Sequence, residues 1–382
     1  MIAVIADDFT GAAELAGISL RYGLKVELSL DKASSTNEDI LVVSNNSRSL
    51  SKQDALNATK KTIQNVAAIK PFFIYKKIDS VLRGHVIDEI NIQMQMTGYN
   101  KAFILPANPS LGRTIKDGKY FVDGQKIHET AFAADPEFLI NSSSIIEMPG
   151  YDQVNVLKHT DLLPEQGIVV GEAETSNDVI AWTNKIDKSW MLAGAGDFYE
   201  SILQRQFSLK EERNFQLALP CLYVCGTSFD KSKNFIRKVD EEFGWVAYLT
   251  GKEETENIGK DFFQQVSDAF KIHGRAIVAY DENSVPYSAS ATLLRTIMAK
   301  AVRQVMERET IAELFIEGGS TATAIFEELN IKNLTPVNEL QRGALRMKAG
   351  SLYITVKPGS YELPLQIKNL FSLGSQKNHP DN

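Results

Sequence analysis

IAVIADDFTGAAELAG, Ile2 to Gly17, is the stretch that decides the fold. Its first five residues, Ile2 to Ala6, are all apolar, as expected of a strand covered on both faces in a parallel sheet. The run stops at Asp7 and Asp8, and a helix rich in small residues opens at Thr10. Small residues let that helix pack closely on the sheet. A buried strand, two acids and a helix form the opening of a βαβ unit.

The rhythm recurs along the chain. ILVVS (Ile40 to Ser44) is followed by Asn45, Asn46, Ser47 and Arg48, and Ser51 then starts a helix with Asp54 in the capping-box position. FFIYKK (Phe72 to Lys77), AFILPA (Ala102 to Ala107), IVVGEA (Ile168 to Ala173) and MLAGAG (Met191 to Gly196) read as further strands. Residues 108–165 hold only short strand-like pieces and turns. A second series comprises LYVCGTS (Leu222 to Ser228), RAIVAY (Arg275 to Tyr280), a long helix from Ser288 to Arg308, ELFIEGGS (Glu313 to Ser320) and SLYITVKPGS (Ser351 to Ser360). The fold expected is α/β and doubly wound, in two domains, each a largely parallel sheet flanked by helices. The polar stretch Gln204 to Gln216 is the expected linker, placing the domains at residues 1–210 and 211–382, and the tail after Leu373 is expected to fray.

Bulk properties narrow the function. A chain of 382 residues, 43% hydrophobic, has material for two cores. Its net charge of −7, with no dense Lys/Arg run, argues against nucleic acid as a partner. Small anions stay within reach of a few local cations. The cysteines, Cys221 and Cys225, lie in one apolar strand and read as reduced core thiols, and the five histidines are scattered. Neither a signal peptide nor a run of eighteen apolar residues is present, so cytoplasm is the expected location and no membrane partner is expected.

Chemistry-bearing residues gather at strand ends. Asp7, Asp8, Arg48, Lys76, Lys77 and Asp79 all lie at or just past strand C-termini, the edge where open α/β sheets bind ligands. Arg48 and Lys77 suit a carboxylate, and an aspartate such as Asp8 or Asp79 suits the proton of a hydroxyl. The same charges also suit plain ion pairs along a sheet edge. In the second half, FIEGGSTATA joins a strand to a helix through Gly318 and Gly319, with Ser320 and Thr321 at the helix start. Such a turn can cradle a phosphate, or be an ordinary turn capped by Ser320. VCGTSFD and VKPGS are glycine-bearing strand ends too, and three in one domain favour a nucleotide. Neither G-x-x-x-x-G-K-[ST] nor GxGxxG occurs. The adjacent acids Asp7 and Asp8 do not have the Asp-x-Asp-x-Thr spacing of haloacid-dehalogenase-type phosphatases.

IADDFTGA (Ile5 to Ala12), NSR (Asn46 to Arg48), YKKIDSVLRGH (Tyr75 to His85) and the long loop from Pro106 to Pro136 together resemble the four-carbon acid sugar kinase family. CGTS, EGGSTA and VKPGS are looser matches. The resemblance runs to about Gly359 and implies a sugar-acid domain, an ATP-binding domain and catalysis in the cleft between them, with ATP and Mg²⁺ required. It implies acid contacts at Asp8, Arg48, Lys76, Lys77, Ile78 and Asp79, and the neighbouring Asp7 and Ser80 are expected in the same site; Asp8 is the expected base, with Asp79 and Asp7 open as alternatives. Nucleotide contacts would fall on Thr227, Ser228, Gly318, Gly319, Ser320, Thr321 and Gly359. The chain departs from the family at Ser44-Asn45-Asn46, at His85 and at Lys357-Pro358-Gly359, where Pro358 removes a backbone donor. The expected activity is phosphorylation of the terminal hydroxyl of threonate, erythronate or 3-oxo-tetronate. The alternatives are a metal-dependent sugar-phosphate hydrolase and a non-catalytic sugar-acid binder. Metal ligands and any homo-oligomer stay open.

Overall fold

The computed structural model describes residues 1–30, 37–134, 138–210, 215–253 and 258–372. The chain forms two compact units, Met1–Glu212 and Arg213–Asn382. Part of the expected linker, residues 211–214, and the tail from residue 373 lie outside the described residues. Among the described residues no helix is long and apolar enough to cross a membrane.

Unit 1 opens with β1 (Ile2–Ala6), α1 (Phe9–Arg21), β2 (Val26–Ser29), β3 (Ile40–Ser44), α2 (Lys52–Ala68), β4 (Ile74–Lys77), α3 (Val86–Thr97) and β5 (Lys101–Leu105). A small antiparallel sheet follows, β6 (Arg113–Lys116), β7 (Lys119–Val122) and β8 (Gln125–Lys126). The unit closes with β9 (Asn155–Leu157), β10 (Gly167–Gly171), α4 (Ser176–Lys185), β11 (Met191–Gly194) and α5 (Gly196–Gln204). The main strands run in the order β2-β3-β1-β4-β11-β5-β10-β9, every neighbour parallel. Ala3, Ile5, Leu41 and Val43 pack with Ile63 and Val66 of α2 and Ile92 of α3 on one face. Alternation along β4 puts Lys76 toward Glu89 of α3 and Lys77 toward Glu14 of α1.

Unit 2 contains β12 (Cys221–Cys225), α6 (Asp230–Phe243), β13 (Val246–Leu249), α7 (Lys260–His273), β14 (Arg275–Tyr280) and α8 (Ala291–Arg308). It continues through β15 (Glu313–Glu317), α9 (Gly319–Glu328), β16 (Asn333–Gln341), β17 (Ala344–Ala349), β18 (Leu352–Lys357) and α10 (Leu365–Ser372). Its order is β13-β14-β12-β15-β18-β17-β16, parallel up to β18 and antiparallel beyond. Cys221 and Cys225 are free, buried thiols in one apolar cluster with Tyr223, Ile236 and Phe371. Burial pushes the Cys225 thiol up to about 12.

Several boundaries differ from those read off the letters. The strand expected to run to Ala107 stops at Leu105, because Pro106 has no N–H for the ladder. The strand expected to begin at Phe72 begins at Ile74, and Phe72 is largely exposed. The long helix begins at Ala291 rather than Ser288, with the Ser290 hydroxyl accepting from the Leu293 amide at 3.1 Å. The turn after β15 is not capped by Ser320: Gly318 is the cap residue, at φ 110°, and Ser320 lies inside α9.

Candidate functional site

The unit 1 cluster is assembled by three strand ends. The chain leaves β1 directly into Asp7 and Asp8, and Asp8 caps α1. Its Oδ1 accepts from the Gly11 amide at 2.9 Å and its Oδ2 from the Thr10 hydroxyl at 2.6 Å. The helix dipole adds to these bonds in favouring the charged form. Past β3, Asn46 sits at φ 47°, a conformation asparagine tolerates, and the turn presents Arg48. The Arg48 amide then donates to the Asp7 carbonyl at 3.1 Å.

Arg48 is the hub. Its Nε and Nη2 grip the Asp7 carboxylate at 2.9 Å each, and Nη1 donates to Asp8 Oδ2 at 2.7 Å. Asp79 Oδ1 stands 3.6 Å from the same Nη1. Gly84, at φ +92°, lies flat against this side chain, since a Cβ there would come within 3.2 Å of Arg48 Cγ. The three acids are not equivalent. Burial pushes Asp7 above the usual aspartate value, with Arg48 offsetting it only in part. Burial also acts on Asp8, but Arg48 and Lys77 outweigh it and hold that carboxyl below the usual value. Asp8 is the most accessible of the three, its side chain 22% exposed against 4% for Asp7 and 8% for Asp79.

Asp79 lies in a tight turn after β4. Arg83 returns to it with its amide at 3.1 Å, Nε at 2.9 Å and Nη2 at 3.0 Å. Despite its burial, Arg83 and Arg48 hold the Asp79 carboxyl far below its ordinary value. The turn requires Leu82 at φ 66°, a strain of about 1–3 kcal/mol for such a residue. Ser80 accepts a hydrogen bond from Arg113 Nη1 on its hydroxyl and one from the Tyr120 hydroxyl on its carbonyl. The Lys77 ammonium donates to the Ile78 carbonyl at 2.9 Å.

The structure therefore brings together Asp7, Asp8, Arg48, Lys77, Ile78, Asp79 and Ser80. Lys76 stands apart, wholly buried and paired with Glu89 on the opposite face of the sheet. Sequence reasoning overlooked Arg83 and Arg113. Both lie in quoted stretches, but their return to Asp79 and Ser80 depends on turns the letters do not specify.

In unit 2 the three glycine-bearing turns meet at the ends of adjacent strands β12, β15 and β18. The Gly226 amide donates to the Glu317 carbonyl at 3.0 Å and the Gly318 amide to the Lys357 carbonyl at 2.9 Å. A Cβ on Gly226 would lie 2.0 Å from Thr321 Oγ1, and one on Gly359 would lie 2.4 Å from Thr227 Oγ1. The first turn of α9, with no side-chain cap, leaves the amides of Gly319, Ser320 and Thr321 without carbonyls of their own helix. Ser320 and Ser228 are exposed beside this surface. Beneath it, Glu317 accepts from Ser232 and Tyr223 and pairs with Lys357 at 2.7 Å.

A family described as a sugar-binding N-terminal domain matches residues 2–199. A D-threonate kinase from Salmonella typhimurium is 27% identical to this chain, over 84% of the chain and 85% of that protein. A D-threonate kinase from Bordetella bronchiseptica is 31% identical over 40% of each. Among solved structures, a Haemophilus influenzae protein of family DUF1537 superposes with a TM-score of 0.75, over 97% of this chain and 99% of that one. At 16% identity that likeness speaks to the fold.

Proposed function

The chain belongs to the family of the sugar-binding N-terminal domain, and on that premise we propose that it is an ATP-dependent kinase for the terminal hydroxyl of a four-carbon sugar acid. The observation that supports this most is the D-threonate kinase similarity, which at 84% of the chain is longer than either unit and so takes in part of both. In this reading unit 1 holds the acid and unit 2 the nucleotide.

Asp8 is the base. It is the most accessible acid of the cluster, and its Arg48, Thr10 and Gly11 contacts fix where its lone pairs point. The substrate hydroxyl oxygen bonds to the γ-phosphorus, the bond from that phosphorus to the β–γ bridging oxygen breaks, ADP leaves, and the hydroxyl proton passes to Asp8. The loose transition state of phosphoryl transfer asks more of positioning than of basicity, so a carboxyl held below its usual value serves. Asp7 and Asp79, closed by arginines, position Arg48 and the turn carrying Ile78 and Ser80.

The amides of Gly319, Ser320 and Thr321, with Thr227, Ser228 and the bare backbone at Gly359, would receive the ATP phosphates. Among the described residues no cluster of three or more His, Cys, Asp or Glu is arranged to hold a metal. The Mg²⁺ that accompanies ATP would take its ligands from phosphate oxygens and water, and it would neutralise charge there.

ADP release, measured with ATP and Mg²⁺ across D- and L-threonate, D- and L-erythronate and 3-oxo-tetronate, tests the reading. Turnover on one acid is expected, falling about 10²–10⁴-fold in Asp8→Asn while ATP binding holds. Phosphate release from a sugar phosphate without nucleotide would replace the kinase with a hydrolase. Acid binding with no turnover would replace it with a binding protein.

A further inference from the structure

We propose that Arg113 receives the carboxylate of the acid, a role that rests on the reading above and gives the acid end its own residue. The argument starts from charge. Asp7, Asp8 and Asp79 converge on one site, and a sugar acid brings another carboxylate to it. Arg48 is held by Asp7 and Asp8, and Arg83 by Asp79. Lys77 stands 3.5 Å from Glu14, and Lys76 is closed against Glu89. Each of these cations already faces an acid.

Arg113 is less closed: its charge is felt at Asp79, but among the described residues no carboxylate lies in ion-pair range of its guanidinium. It sits beside the acids nonetheless, with Nη1 donating to the hydroxyl of Ser80, the neighbour of Asp79. Of its five N–H donors, four have no hydrogen-bond partner among the described residues, in the fork geometry that matches a carboxylate. Its position is fixed. The Phe132 ring lies 5.6 Å from the guanidinium, and Arg113 exchanges backbone hydrogen bonds with Asn108 at 2.7 and 3.2 Å. The Asn108 side chain in turn takes the Asp197 amide at 2.9 Å. The side chain is half-buried, so water screens a bound carboxylate only in part.

Binding of threonate and of threitol, its uncharged counterpart, is measured by calorimetry without ATP for the wild type, Arg113→Gln and Arg113→Lys. Loss of a charge-assisted pair is expected to weaken threonate about 10- to 100-fold in Arg113→Gln. Arg113→Lys should recover part of that loss, and threitol should shift less than about two-fold. Unchanged threonate affinity in a folded Arg113→Gln overturns the assignment. So does an equal loss for threonate and threitol, because then Arg113 only shapes the turn. If Arg113→Gln does not fold, Arg113→Lys decides: threonate weakened more than threitol supports the assignment, and an equal shift overturns it. Should the wild type bind neither threonate nor any of the other acids, the acid-kinase reading itself falls, and this role with it.

Discussion

The two units both place ionised side chains at strand ends, but they use them in opposite ways. In unit 1 the charges stay partly open to solvent: Asp8 is 22% exposed, Arg48 13% and Arg83 25%. In unit 2 they lie underneath. Glu317 and Lys357 are wholly buried, and each meets further polar partners. At the opposite end of β15, Glu313 is likewise wholly buried and takes a bidentate Arg346, the Thr355 hydroxyl and the Ala218 amide. One surface is thus made of side chains held by one another. The other is bare backbone carried on a sealed ionic layer.

The comparison breaks most sharply at Lys357. Lys357→Met leaves the Glu317 carboxylate buried without its cation, which is expected to cost about 3–5 kcal/mol in urea unfolding of the chain. Adding Glu317→Leu should return much of that, since an apolar pair often replaces a buried ion pair at little cost. A smaller effect is expected from Gly226→Ala. Its Cβ would press on Thr321, a strain of about 1–3 kcal/mol, and ATP should bind correspondingly more weakly while threonate affinity is unchanged. Calorimetry with each ligand separates the two; equal losses would remove the proposed division of labour between the units.

Acid sharpens the contrast from the unit 1 side. The Asp79 carboxyl is held below 3.8, its ordinary value, so it contributes stability above that pH and loses it as pH falls toward its folded value. Asp79→Asn should therefore be less stable than wild type near neutrality, with the gap closing below about pH 4. Asp7, raised by burial, runs the other way, and its ionisation costs stability as pH rises through its folded value. Urea unfolding of the two Asn variants across this range reads both signs.

Much of this was legible in the letters, for reasons that follow the same contrast. Strands buried on both faces, such as Ile2–Ala6, Ile40–Ser44 and Arg275–Tyr280, announce themselves as apolar runs. Val26–Ser29, with Glu27 inside it, and Val246–Leu249 do not read as strands in the letters, and β16 carries Pro336 among polar residues and is half-exposed. Side-chain chemistry is spelled out by residue type, so the acids and Arg48 stood out, and the resemblance to four-carbon acid sugar kinases agrees with the names of the relatives. What type cannot say is who partners whom. That Arg48 turns to Asp7 and Asp8, and Arg83 back to Asp79, follows from positive φ at Asn46, Leu82 and Gly84. A backbone surface leaves still less trace: glycine marks the place, while the cap at Gly318 rather than Ser320 is a matter of one dihedral angle.

The two lysines of β4 look like a repeated letter, yet they are not spare copies of each other. Lys76 is sealed against Glu89 and Lys77 reaches toward Asp8 and Glu14. A codon deleted or inserted upstream within this strand would slide the register by one and exchange the two faces. The gene could then still read Lys-Lys-Ile-Asp while the protein presented the wrong lysine to each side of the sheet. For a breeder of variants, point changes are the permissible currency here and length changes are not.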